Sequence, residues 1–318
     1  MIPTRPRTRT STLLLNAFAI LLATLLSAYS LAADSWPVQE DGAAAAGFNE
    51  TGIQQLDAAM QEAVANQDVA GMVWLLAKDG KVATFKHAGM ARINDDTEMT
   101  QDSLFRIYSM SKPVTGVALM QLWEQGLWEF DDPISKYVPE FANLQVMVDY
   151  DDDGNVELEP LDRQPTMREL LNHTAGFGYG LGGSDPVNTA FRDQGVLASS
   201  DLDELVEKVA GIPLMSQPGE YWYYSIAVDI QGYIVQQISG MPFGEYLRTE
   251  IFEPLQMMDT RFYVAAEDQD RFAEVHYWDR ERQRLAQQPH RTDRPSYLDP
   301  ERLESGGGGL SLVYSRVC

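Results

Sequence analysis

Ser109-Met110-Ser111-Lys112 places a hydroxyl three residues ahead of an amine, directly before an apolar-periodic run, Val114, Val117, Ala118 and Leu122. Residues three apart are neighbours on one helix face, so the spacing predicts Lys112 beside Ser109 at the start of a helix. A serine hydroxyl is too weak an acid to attack a carbonyl unaided and needs an adjacent base. A lysine supplies one where burial or a nearby cation disfavours its charged form. The chemistry expected is nucleophilic acyl transfer. In isolation the same four letters describe an exposed helix start with a solvated lysine, so the motif depends on what surrounds it.

A second cluster can complete that chemistry. Gln217-Pro218-Gly219-Glu220 marks a turn, and Tyr221, Trp222, Tyr223 and Tyr224 follow it. A phenol ionises near pH 10, at about the value of a free tyrosine, but a neighbouring ammonium favours the phenolate. A tyrosine beside Ser109 would take its proton and later return it to the leaving group. Tyr221, Tyr223 and Tyr224 compete for the role, because aromatic clusters more often pack a core.

These groups need elements to carry them. Ile53, Leu56, Ala59, Met60 and Ala63 have helical spacing over residues 52–66. Residues 71–77 and 82–89 read as strands joined at Asp79-Gly80, a hairpin turn pair. After the serine motif, Pro113 suits the first helical turn and Gly126 can end the helix. A further helix is expected over residues 232–239, stopped by Gly240. Pro165 to Gly176 reads as a short helix containing His173. The acidic run Asp149–Gly154 invites a calcium loop, but the twelfth position from Asp149 is Pro160, where such a loop needs a bidentate glutamate. A solvated hairpin tip is the better reading. His87, His173, His276 and His290 lack metal-ligand spacing.

Several segments together resemble the serine β-lactamase and penicillin-binding-protein-like superfamily, closest to its class C β-lactamase and class VIII esterase branch. They are Phe105 to Tyr108 ahead of the motif, Leu119 to Pro133 after it, Leu170 to Gly176, and Ile251 to Phe262. The resemblance implies an α/β, β-lactamase-like fold: an antiparallel sheet flanked by helices, plus a helical lobe, with the site between them. It implies that Ser109 is acylated, that Lys112 and Tyr224 manage the proton, that His173 is structural, and that no cofactor or metal takes part. Where the branch carries Tyr-x-Asn, this chain reads Tyr224-Ser225-Ile226. Loss of the substrate-binding amide favours a carboxylesterase of small acyl esters. A β-lactamase and a D-alanyl-D-alanine carboxypeptidase remain the alternatives. An α/β-hydrolase would carry G-x-S-x-G, which is missing from the sequence.

Arg5, Arg7 and Arg9, an apolar stretch from Leu13 to Leu26, and Ser30-Leu31-Ala32 form a secretory-leader pattern over residues 1–33. Residues 34–47 read as a linker and 48–318 as the hydrolase domain. Gly306 to Leu310 resembles the superfamily's glycine-rich turn. The likeness stops at Ser311, so a domain truncated before its last strands, its closing helix and its Lys/His/Trp-x-Gly motif is expected. A non-catalytic remnant or binding protein is the reading of another class. The 47 acidic residues against 24 basic ones, net charge −23, disfavour nucleic acid. The expected partner is a small-molecule ester or amide, with no stable membrane anchor once the leader is cleaved. The location is periplasmic or secreted. Cys318 is the only cysteine, so no internal disulfide framework exists. Subunit number has no signature in the sequence.

Overall fold

The computed structural model describes residues 39–151, 154–289 and 296–313. The leader pattern, the linker up to residue 38, Asp152 and Asp153 of the acidic tip, His290 and Cys318 lie outside them.

Asn49 opens helix α1 (Glu50–Ala65), its side chain accepting from the Gly52 N–H at 3.2 Å. Strands β1 (Gly71–Lys78) and β2 (Lys81–Arg92) then pair antiparallel, and β3 (Thr97–Glu98) adds to β2, giving the order β1-β2-β3. Asp79 and Gly80 turn the hairpin with φ of 51° and 73°, as the tight two-residue turn requires. Asp57, nearly buried on α1, accepts from Trp74 Nε1 at 2.8 Å, Thr84 Oγ1 at 3.1 Å and Lys86 Nζ at 2.5 Å. One carboxylate therefore ties the helix to both long strands. The alanine run expected as linker packs as well. Ala43 and Ala46 are buried with Ile53 and Ala83, because their small side chains let the turn lie on the sheet.

The remainder is mainly helical: α2 (Ser111–Glu124), α3 (Met167–Leu171), α4 (Pro186–Asp193), α5 (Leu202–Ala210), α6 (Ala227–Ser239) and α7 (Phe243–Leu247). Helix α2 packs along α6, and α3, α5 and α7 close around α6. Their shared core includes Leu119, Leu122, Trp128, Phe141, Leu170, Leu205, Ile230 and Phe243. Trp128 satisfies its indole N–H on Leu119 O at 2.8 Å. Helix α6 begins five residues before the expected Gly232. Every residue from Ala227 to Val235 is buried, so it carries no amphipathic stripe to mark its start. Helix α3 has a reciprocal capping box between Thr166 and Glu169.

Strand β4 (Leu104–Arg106) leads into α2 and pairs antiparallel with β9 (Ser311–Val313). Two further hairpins, β5 (Gln145–Tyr150) with β6 (Val156–Pro160) and β7 (His276–Asp279) with β8 (Arg284–Gln287), complete the described strands. The result is the expected α/β architecture with antiparallel pairing. No helix among the described residues is long and apolar enough to cross a membrane.

Candidate active site

Ser109 lies in a single 3-10 turn, Tyr108–Met110, between β4 and α2. It therefore stands just ahead of the α-helix. Leu310, the residue before β9, fixes this entry: the Ile107 N–H donates to Leu310 O at 3.1 Å, and the Leu310 N–H donates to Ser111 Oγ at 3.1 Å. Tyr108 has φ of 45°, a costly backbone state for a bulky residue.

The three-residue spacing brings Lys112 Nζ to 3.4 Å from Ser109 Oγ. Tyr224, from the loop that opens α6, places its Oη 2.6 Å from the same oxygen. Lys112 Nζ sits 4.6 Å from the Tyr224 ring centroid and donates to Gly307 O at 2.5 Å. Of the three competing tyrosines, Tyr224 is the one bonded to Ser109. Tyr221 is exposed and rests against Tyr223 at 6.3 Å, while burial pushes the Tyr223 phenol above its usual range. For Tyr224, burial resists ionisation, but hydrogen bonding to Lys112 and Ser109 and the lysine charge outweigh it. The phenol is held below its ordinary value.

His173 stacks on Tyr224 with ring centroids 5.5 Å apart and 23° between planes. Its Nδ1 is bonded to Ser225 Oγ at 3.0 Å. Burial first, and the Lys112 charge second, hold the imidazole below its usual value, which disfavours its charged form. Its contacts brace the tyrosine loop. Ile226 is fully buried in the helical core, and its N–H donates to Gly178 O at 3.0 Å. An apolar side chain at this place serves packing.

Sequence reasoning missed the support beneath Lys112. The Gly307 carbonyl that takes its ammonium belongs to a turn gripped by Asp229 and Thr115. Two signals could have found it: a carboxylate inside the apolar run Ala227–Val235, and four consecutive glycines from Gly306.

A cavity of about 590 Å³ opens beside Ser109. Tyr179, Leu181, Leu197 and Leu303 give it apolar walls, with Arg106 and Gly308 among its polar surfaces. Arg106 is already engaged, donating to Ala273 O at 2.6 Å and pairing with Glu274 at 3.0 Å. No group of three or more histidine, cysteine or acidic side chains among the described residues could hold a metal ion. The arrangement offers a hydroxyl, a phenol of lowered pKa bonded to it, a cation beside both, and an adjoining cavity of ligand size.

The family model described as Beta-lactamase matches residues 56–314. Esterase EstB of Burkholderia gladioli is 33% identical over 222 residues, which are 69% of this chain and 53% of that protein. Lovastatin esterase of Penicillium rubens is 32% identical over 168 residues, 52% of this chain and 42% of that protein. Among solved structures, EstCE1, a hydrolase with promiscuous acyltransferase activity, superposes with a TM-score of 0.69 at 25% identity. The match covers 83% of this chain and 70% of that one. The chain spans about half the length of the curated relatives it matches. A family match over most of the sequence, on a fold shared with EstCE1, carries one conclusion: the chain belongs to the β-lactamase family, within the serine β-lactamase and penicillin-binding-protein-like superfamily.

Proposed function

We propose that the protein is a serine hydrolase that acts on esters of small acyl groups through an acyl-enzyme on Ser109. The observation that carries this reading is the meeting of three side chains at one oxygen. Tyr224 Oη lies 2.6 Å and Lys112 Nζ 3.4 Å from Ser109 Oγ. The Tyr224 phenolate takes the hydroxyl proton as Ser109 Oγ bonds to the ester carbonyl carbon, and the carbonyl electron pair moves onto oxygen. When that pair returns, the bond to the alcohol oxygen breaks and Tyr224 gives its proton to the leaving alkoxide. Water then repeats the sequence on the acyl-enzyme, losing a proton to Tyr224. Ser109 leaves with that proton, and the acid is released. Lys112 Nζ stays beside the reacting oxygen and the phenol ring, 4.6 Å from the ring centroid.

Ester preference is supported by the names of two relatives, Esterase EstB and lovastatin esterase. The family description favours β-lactam opening as the second reading. Export belongs to the same proposal and rests on the leader pattern in residues 1–33.

A fluorophosphonate probe tests the nucleophile. Mass spectrometry should find the adduct on Ser109, and Ser109→Ala should abolish it. A label on another serine, or none on folded protein, overturns the assignment. On the same preparation, a short-chain aryl ester should show a higher kcat/KM than a cephalosporin. The reverse order transfers the proposal to β-lactam hydrolysis.

A further inference from the structure

Asp229 is a carboxylate with no solvent exposure, set in the first turn of α6. The proton transfers described above do not use it. Its Oδ1 accepts from the Ser305 hydroxyl and from the Gly307 N–H, the latter at 3.1 Å. Its Oδ2 is buried with no hydrogen-bond partner among the described residues. An acid left half-satisfied in a core is costly, and this one grips only one segment, the turn at 305–307.

That turn is held from the other side too. Thr115 Oγ1, on α2, donates to Gly306 O at 2.9 Å. The fit is close: a Cβ at Gly306 would stand 2.7 Å from Val228 O and 3.0 Å from Thr115 Oγ1. The turn is therefore fixed between the two packed helices, one of which bears Lys112. Its Gly307 carbonyl, so fixed, receives the Lys112 ammonium at 2.5 Å.

We propose that Asp229 is a positioning residue for Lys112: it clamps the Ser305–Gly307 turn to α6, so that the Gly307 carbonyl holds the ammonium beside Ser109. Its carboxylate also lies close enough to feel the lysine charge. Burial pushes the Asp229 carboxyl upward, while Ser305, Gly307 and the Lys112 charge act in the opposite direction. The N-terminal turn of α6 favours a negative group as well. The catalytic consequence of the clamp rests on the proposed hydrolase reading. The clamp itself does not.

The chain contains six lysines, so [13Cε]lysine labelling gives a spectrum simple enough to assign Lys112 through Lys112→Arg. In Asp229→Ala the Lys112 signal should move to the position of a free lysine while the other five stay in place. Fluorophosphonate labelling of Ser109 should slow by about a hundredfold, the scale of a displaced catalytic group. Asp229→Asn keeps an Oδ1 acceptor for Ser305 and Gly307. It should restore the Lys112 signal and bring labelling to within about threefold of wild type. If Asp229→Ala does not fold, Thr115→Val loosens the same turn from α2 and should displace the same signal. An unmoved Lys112 signal in the folded variant overturns the clamp, as does an Asn variant that behaves like Ala. Wild-type protein that resists the probe while its Lys112 signal still responds to Asp229→Ala overturns the hydrolase reading alone.

Discussion

Around α2 and α6 the interior is continuous and apolar, running from Ile107 through Trp128, Phe141 and Leu205 to Leu312. Against β1, β2 and β3 it breaks into small patches. One holds Ala43, Ala46, Ile53 and Ala83, and another Ala91, Met99 and Ala273. The sheet side compensates with polar ties. Asp57 binds three donors from two strands, and Arg92 reaches across to the backbone carbonyls of Gln269 and Asp270. Ser109 stands where the two regions join, at the end of β4 and the start of α2. Its partners, however, come from the helical side: Lys112 from α2 and Tyr224 from the loop entering α6. The chemistry is thus anchored in the part held by close packing, while the sheet side relies on hydrogen-bond geometry.

The strongest test of that contrast removes the largest fully buried side chain. Trp128→Ala should cost about 3–5 kcal/mol, the usual range for deleting a buried aromatic residue. Ser109 labelling should fail with it, because α2 loses the packing beneath its second half. A denaturant melt read beside labelling checks this; an inert but fully stable variant breaks the comparison.

Next in size is Tyr224→Phe, which should slow Ser109 acylation by about a hundredfold without lowering the melting temperature. The pH profile sharpens the point. The phenolate is the active form, so acylation is lost as pH falls through the Tyr224 pKa. That value is lowered, so the wild-type limb lies below the free phenol value of about 10. Lys112→Ala removes one cause of the lowering and should move the limb to higher pH. A limb that stays in place assigns the proton to another group.

Asp57→Ala should have the smallest effect, about 1–3 kcal/mol, because Trp74 Nε1 and Thr84 Oγ1 lose their acceptor while Lys86 can turn to water. Hydrogen exchange should rise in β1 and β2, and the rate of Ser109 labelling should hold. A large fall in labelling would show that the sheet side positions the nucleophile after all.

Much of this was legible in the residues. The Asp79-Gly80 pair announced the first hairpin, and Pro165 and Gly176 bracketed a short helix, because turn and helix-end chemistry act over a few neighbouring residues. The Ser109-to-Lys112 spacing worked for the same reason. Tyr224 was harder, since three tyrosines compete within four positions and only the fold decides which one reaches Ser109. Asp229 escaped notice because its meaning lies in Ser305 and Gly307, far along the chain. Ile226 was read as a lost substrate contact, whereas its side chain belongs to the core. Long-range placement of that kind leaves only indirect traces, such as a carboxylate inside an apolar run, and no spacing that pairs the partners.

The ties that fix the nucleophile also carry a consequence for time. The hydrogen bond from Lys112 to Gly307 spans 195 residues, and the one from Leu310 to Ser111 spans 199. Loop closure at that length adds only about 0.6 kcal/mol for each doubling, so equilibrium stability hardly registers the distance. Kinetics does, since contacts between remote segments form slowly. The Asp79-Gly80 hairpin and the first turn of α2 can form from neighbours alone. The Tyr108 bend, with its unfavourable φ, is closed locally by the Met110 N–H on Ile107 O, but both of its flanks are also tied to Leu310. Its geometry depends on residues 306–312, which makes the reactive turn one of the later parts of the molecule to take its final form.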